Sequence, residues 1–340
     1  MEERKFRSKI TWFTFVFSLF VVWVHAYNGE LFLGKTTRGE GVNQFEHMIG
    51  DSLGQIAVPG FFLISAYLFY RNFHWGELKR KWISRFHSVL IPYVLWTALY
   101  YLGYVAGSRL PFVERVMGKG RIPLDLEHLL DGIVNFRYLY VFWYLRQLIF
   151  LILLAPFLYV FLRRKMVGTV FLALVFGAVW TAADFPYINE DALFYYGCGG
   201  FLALHGHELE KPWSMTRFFG GVLFLGAGAL NYWLTARYFL PGTTVLYRIC
   251  TPIGLWLMVN ENYLPKVKPW MECNFFLYAV HFALVRLLNK SIAFLAPPSV
   301  WLPVALYLAM PFLMASVSYW GAAVMKRYVP GIWRVLNGGR

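Results

Sequence analysis

Two histidines lie on polar stripes within otherwise apolar segments. In the first, Thr11, Thr14, Ser18 and His25 follow one another at intervals of 3, 4 and 7 residues. At 100° per residue they fall on one narrow face of a helix. In the second, Asn274, Tyr278 and His281 are spaced by 4 and 3 and share a face in the same way. Histidine titrates near neutrality and is the usual general base for a hydroxyl. Either histidine alone reads better as a structural residue that hydrogen-bonds a neighbouring helix. Two of them on two inward stripes point to proton transfer more than either does by itself.

Arginine raises a second question. Arg146 stands in Trp143-Tyr144-Leu145-Arg146-Gln147-Leu148, inside another apolar stretch. In lipid it needs a carboxylate, a carbonyl or a bound anion, and the apolar segments carry Asp or Glu only at their ends. Arg248 and Arg286 pose the same question less sharply. A basic cluster, Arg71, Lys79, Arg80, Lys81 and Arg85, follows the second apolar segment, and Arg163, Arg164 and Lys165 follow a later one. These clusters fit anionic lipid headgroups, or a dock for a phosphate-rich cytosolic cofactor. Ser65 has no partner base in sequence and reads as packing. Cys198, Cys250 and Cys273 are odd in number and scattered, so neither a disulfide framework nor a metal site is expected.

The elements that carry these residues must be membrane helices. Of 340 residues, 59% are hydrophobic and 15% charged, too few charges to coat a soluble domain of this size. Mean hydropathy is +0.49. Apolar runs near the length of a bilayer crossing recur, at 10–27, 52–70, 86–106, 138–161, 167–182, 190–205, 217–236, 243–260, 271–289 and 300–325. The expected architecture is an all-α integral membrane bundle of about ten transmembrane helices, one domain over 1–340. No small-x-small cleavage site follows the first run, so it is expected to stay as a helix. With both termini in the cytoplasm, the cytoplasmic loops hold about twice the Lys and Arg of the outer loops, as the positive-inside rule requires. The net charge of +14 is therefore a topology signal. Nucleic acid is not an expected partner, because the basic residues are spread over short loops. Pro59 is expected to kink the second helix.

Four ordered stretches resemble the membrane acyltransferase 3 family, bacterial multi-pass enzymes that modify cell-surface glycans. Phe17-Ser18-Leu19-Phe20-Val21-Val22-Trp23-Val24-His25 is similar to the family's first helix with its catalytic histidine. Val58-Pro59-Gly60-Phe61-Phe62-Leu63-Ile64-Ser65-Ala66-Tyr67-Leu68 resembles "VPxFFxxSGYL", with Ala66 for the glycine. Arg85-Phe86-His87-Ser88-Val89-Leu90-Ile91-Pro92-Tyr93-Val94-Leu95-Trp96 is close to "RxxSLxIPYxxW". Phe142-Trp143-Tyr144-Leu145-Arg146-Gln147-Leu148 looks like "WFLRxL". A fifth, weaker match sets Phe276-Leu277-Tyr278-Ala279-Val280-His281 against "FxIYxxH". One departure stands out: the family's arginine eleven residues before the catalytic histidine is Thr14 here.

The resemblance implies an O-acyltransferase in the bacterial cytoplasmic membrane. It would take an acyl group, acetyl by expectation, from cytosolic acyl-CoA to a hydroxyl of a glycan or lipid-linked saccharide, with no permanently bound cofactor. His25 would be the catalytic base. Arg146, Trp143, His281 and Tyr278 would contact the acceptor, and Arg71, Lys81 and Arg85 the CoA phosphates. The rival readings are a transporter or flippase of a polar lipid or saccharide, and an inactive relative.

Overall fold

A computed structural model describes residues 1–111, 120–297 and 299–339. All regular structure among them is helical. The helices used below are α1 (Glu3–His25), α2 (Thr37–Ser52), α3 (Ala57–Tyr70), α4 (Leu78–Arg85), α5 (Ile91–Gly107), α6 (Trp143–Leu153), α7 (Ala155–Leu162), α8 (Lys165–Trp180), α9 (Glu190–Leu204), α10 (Met215–Tyr238), α11 (Pro241–Met258), α12 (Asn274–Leu295), α13 (Trp301–Tyr328) and α14 (Pro330–Leu336). Among the described residues, six helical stretches are long and apolar enough to cross a membrane: Glu3–Leu33, Thr37–Tyr70, Trp75–Gly107, Met215–Tyr238, Pro269–Leu295 and Trp301–Tyr328. The pair α6 and α7, broken at Leu154, makes a seventh if counted as one span. The chain is thus a multi-pass membrane protein. Helix also covers most of the other expected segments, but α8 and α9 are short, with 16 and 15 residues. In α11, Thr243, Thr244, Arg248, Thr251 and an internal Pro252 interrupt the apolar run.

The chain divides into two compact units, Met1–His74 with Ala155–Ala323, and Trp75–Leu154 with Val324–Arg340. In the first, Val22 of α1 and Ala26 just beyond it, Leu277 and Val285 of α12, and Leu306, Tyr307, Met310 and Met314 of α13 form a buried cluster. Such packing, with no aqueous driving force between helices in lipid, depends on close approach. Gly54 provides one: a Cβ there would overlap the Val24 side chain. Pro59 does not kink α3. It stands in the helix's first turn, directly after a 3-10 turn over Gly54–Ile56. A first-turn N–H has no helical partner, so proline costs nothing there.

Elsewhere prolines do reshape helices. Between α4 and α5, Phe86–Leu90 widens into a π segment. Pro92 lacks the N–H that would bond Ser88 and crowds that carbonyl, which accounts for the widening. At the α6 end, Pro156 leaves the carbonyl of Ile152 without its helical donor. The Trp82 indole N–H takes it at 3.0 Å, tying α4 to α6. Trp96 likewise donates to the carbonyl of Leu336 at 3.0 Å, holding α14 on α5.

Candidate active site

The two polar stripes face each other within the first unit. Asn274 Nδ2 donates to Thr14 Oγ1 at 3.2 Å, joining α12 to α1 at one end of the stripes. Ser18 is buried and returns its hydroxyl to the carbonyl of Thr14 at 2.8 Å. Toward the other end, the rings of His25 and His281 lie 5.4 Å apart between centroids, tilted by 40°. Phe282 sets its edge against His25, centroids 5.4 Å apart, and Tyr278 lies 6.0 Å from the His281 ring. His281 is fully buried, whereas His25 is half-buried. His281 Nδ1 stands 2.8 Å from the carbonyl of Tyr278 and 3.2 Å from that of Leu277. Carbonyls only accept, so Nδ1 carries the proton and Nε2 a lone pair.

His25 is the last residue of α1, and the turn after it is fixed from two sides. Glu46 Oε2, on α2, accepts the backbone N–H groups of Asn28 and Gly29 at 3.0 and 3.1 Å. Asn289, on α12, donates to the carbonyl of Ala26 at 3.2 Å and accepts from Asn28 Nδ2 at 3.4 Å. Tyr307 donates to the Glu46 carbonyl at 2.8 Å, and Trp23 to that of Tyr307 at 3.2 Å. The helix that carries His281 thus also anchors the end of the helix that carries His25. Asn289 is eight residues beyond His281, about 12 Å along the axis. Asn28, Glu46 and Asn289 were not anticipated from sequence. A signal existed: Gly39, Val42, Glu46 and Gly50, all buried, repeat at helical spacing. That pattern makes Glu46 a core residue of a helix and not a charge on an outer loop.

The basic residues have varied settings. Arg71 Nη2 donates at 2.7 Å both to Glu3 Oε2 and to Glu210 Oε2. Its guanidinium stacks over Phe6 at 4.7 Å. Hydrogen bonding to Glu3 and then Glu210 raises its pKa against the opposing effect of burial. Two carboxylates therefore already hold the Arg71 guanidinium. Arg248 meets Gln55 at 3.1 Å and Asp191 at 3.8 Å, and Arg286 lies over Phe282 at 5.3 Å. In the second unit, Arg146 lies over Phe136 at 5.4 Å and Phe150 at 5.5 Å. Among the described residues its guanidinium meets no carboxylate. Trp143, half-buried, is the first residue of the same helix. Arg85 borders an apolar groove of about 300 Å³ formed by Trp82, Ile83, Phe86, Ile149, Ile152 and neighbours. Lys81 is one turn earlier on α4.

Where the family pattern would place an arginine, Thr14 receives the Asn274 amide. The buried cation of α1 is Lys9. Its Nζ donates to the carbonyl of Val259 at 2.7 Å, stands 3.7 Å from Glu261 Oε2 and lies 4.7 Å over the Trp256 ring. In the sequence it closes the run of basic residues Arg4, Lys5, Arg7 and Lys9 before the first span, and nothing there marks it as buried.

Among known proteins, the family model described as "Acyltransferase domain" matches residues 8–323. "Succinoglycan biosynthesis protein ExoH" of Rhizobium meliloti (strain 1021) is 24% identical over 355 residues, covering 94% of this chain and 89% of that protein. No solved structure matches. A family match that begins in α1 before the His25 stripe and runs through α12 beyond His281 takes in both histidines and nearly the whole bundle. The chain therefore belongs to the acyltransferase 3 family and is a membrane acyltransferase that transfers groups other than aminoacyl groups.

Proposed function

We propose that this enzyme moves an acyl group, acetyl in the simplest case, from cytosolic acyl-CoA to a hydroxyl of a cell-surface polysaccharide or its lipid-linked precursor. The observation that carries the reading is the pairing of His25 with His281 on facing polar stripes inside an apolar bundle. The similarity to a succinoglycan biosynthesis protein supports a polysaccharide acceptor. His25 acts as general base: it takes the proton of the attacking hydroxyl, the new C–O bond forms at the thioester carbonyl, the C–S bond breaks, and the thiolate recovers a proton. Tyr278 and His281 lie on the α12 stripe that faces His25. Trp143 and Arg146 are the candidates for an anionic or sugar group of the acceptor, since Arg146 has aromatic faces and, among the described residues, no carboxylate to neutralise it.

The donor phosphates are assigned to Lys81 and Arg85 on the cytosolic side. Arg71 could join them only by exchanging a carboxylate for a phosphate. About ten membrane-crossing helices with both termini in the cytoplasm of a bacterial cell complete the reading. Two experiments test it. Acetyl-CoA should raise the thermal midpoint of the purified protein, because a ligand bound only by the folded state shifts unfolding by mass action. The charge-reversed double variant Lys81→Glu with Arg85→Glu should lose most of that rise, and a wild-type protein indifferent to acetyl-CoA would remove the donor assignment. For orientation, cysteines placed at Gly41 and Gly120 should react with an impermeant thiol reagent in intact cells, and one at Met166 should not. Labelling at Met166 with silence at Gly120 would invert the topology.

A further inference from the structure

The two ring nitrogens of His281 have different surroundings. Nδ1 is committed to the carbonyls of Tyr278 and Leu277. Nε2 is buried and, among the described residues, has no hydrogen-bond partner. With its proton on Nδ1, His281 presents a bare lone pair at Nε2 inside the bundle. A buried acceptor without a donor costs about 1–3 kcal/mol, and an apolar side chain of similar size would avoid that cost. Such an orphan group in a folded core calls for an explanation. The ring beside it is that of His25, 5.4 Å away between centroids. Among the described residues the His25 imidazole makes no hydrogen bond either. Two imidazoles, each incomplete, thus stand side by side.

We infer that His281 is a positioning residue for His25: its Nε2 lone pair takes the N–H of His25, directly or through one water molecule. This inference rests on the reading of His25 as the base. It gives each nitrogen one task. The Tyr278 carbonyl fixes the tautomer of His281, and His281 fixes that of His25. The other nitrogen of His25 is left with its lone pair for the acceptor hydroxyl. When that nitrogen takes the proton, the N–H shared with His281 strengthens, because the donor has become cationic. A base oriented by a third group is the general arrangement of activated nucleophiles. The spacing between the rings is held at a second point on the same helix, where Asn289 grips the carbonyl of Ala26 next to His25.

The test compares two amides at position 281 in inverted membrane vesicles of the host cell, which hold the native acceptor, with acetyl-CoA as the donor. His281→Asn can keep the bond to the Tyr278 carbonyl but carries nothing at the place of Nε2. His281→Gln can put an amide oxygen there. The Asn variant should lose about 10²-fold in kcat, the scale of a misplaced catalytic group, with KM for acetyl-CoA little changed. The Gln variant should recover to within about tenfold of wild type, a small fraction of a full general-base contribution. Wild-type kcat in the Asn variant, or equal loss in both, overturns the inference. Should the Asn variant fail to accumulate, the Gln variant decides: activity supports the inference, and inactive protein that still binds acetyl-CoA overturns it. His25→Ala separates the two claims. Full activity there sinks the base reading, whereas an inactive His25→Ala beside a fully active His281→Asn sinks only the role given to His281.

Discussion

His25→Ala is expected to abolish detectable glycan acylation while the protein still inserts at normal abundance and still gains stability from acetyl-CoA. General-base catalysis contributes typically about 10²–10⁴-fold, so turnover should fall by that range. The geometry explains why folding should survive. His25 is the last residue of α1 and only half-buried. The turn after it is held by backbone groups of Ala26, Asn28 and Gly29, through Glu46 and Asn289, and not by the imidazole. Donor binding should also survive, because the residues proposed for the donor, Lys81 and Arg85, belong to the other unit. Acylated glycan can be quantified by nuclear magnetic resonance of polysaccharide from cells carrying each variant. An alanine variant that acylates at the wild-type level would refute the proposed chemistry.

The second large effect concerns stability. Lys9 and Glu261 are 3% and 2% exposed at their side chains, so this is a buried ion pair. Glu261 Oε1 also accepts the backbone N–H of Trp213 at 3.0 Å. Removing one partner strands the other charge, which typically costs about 3–5 kcal/mol. Lys9→Met and Glu261→Gln should each lower the thermal midpoint sharply, and the double variant should recover much of the loss. Independent, additive losses would mean that the pair does not couple. Burial pushes the Glu261 carboxyl up, but the Trp213 N–H, its own backbone N–H and Lys9 outweigh burial and lower its pKa. A carboxyl depressed in the folded state contributes stability above its unfolded value, near 4.3. That contribution disappears as pH falls through the folded value. Acid unfolding of the wild type below about pH 4 should therefore be blunted in the double variant.

The stripes were legible because helical periodicity survives any error in helix ends. Thr14 and His25, and Asn274 and His281, needed only their spacing, and the structure pairs each with its counterpart on the other helix. The clamp around them was not legible. Glu46 lies in a stretch read as an outer loop, yet it is a helix whose buried face includes a carboxylate, which masks the usual apolar signature. The setting of Arg146 was legible only as a question. Its neighbour Phe136 precedes the helix in a turn, with φ of 43°, and no period predicts such a residue. Pro59 misled for a simple reason: a proline disrupts a helix by its distance from the helix start, and the sequence does not mark that start. The four weaker spans show the same limit. Threonines, Arg248 and Pro252 lower the hydropathy of α11 without preventing a helix, because its packing against α10 does not require an unbroken apolar surface.

His25→Gln tests whether an imidazole on α1 removes the acceptor's proton. Glutamine keeps a hydrogen-bonding group of similar reach but cannot accept that proton at neutral pH. Turnover of acetyl-CoA in host membrane vesicles, normalised to enzyme abundance, is the quantity to measure. The glutamine variant should be nearly as inactive as His25→Ala, with donor-induced stabilisation intact. Near-normal turnover in the glutamine variant would contradict it, because His25 would then serve as a hydrogen-bonding residue and the base would lie elsewhere.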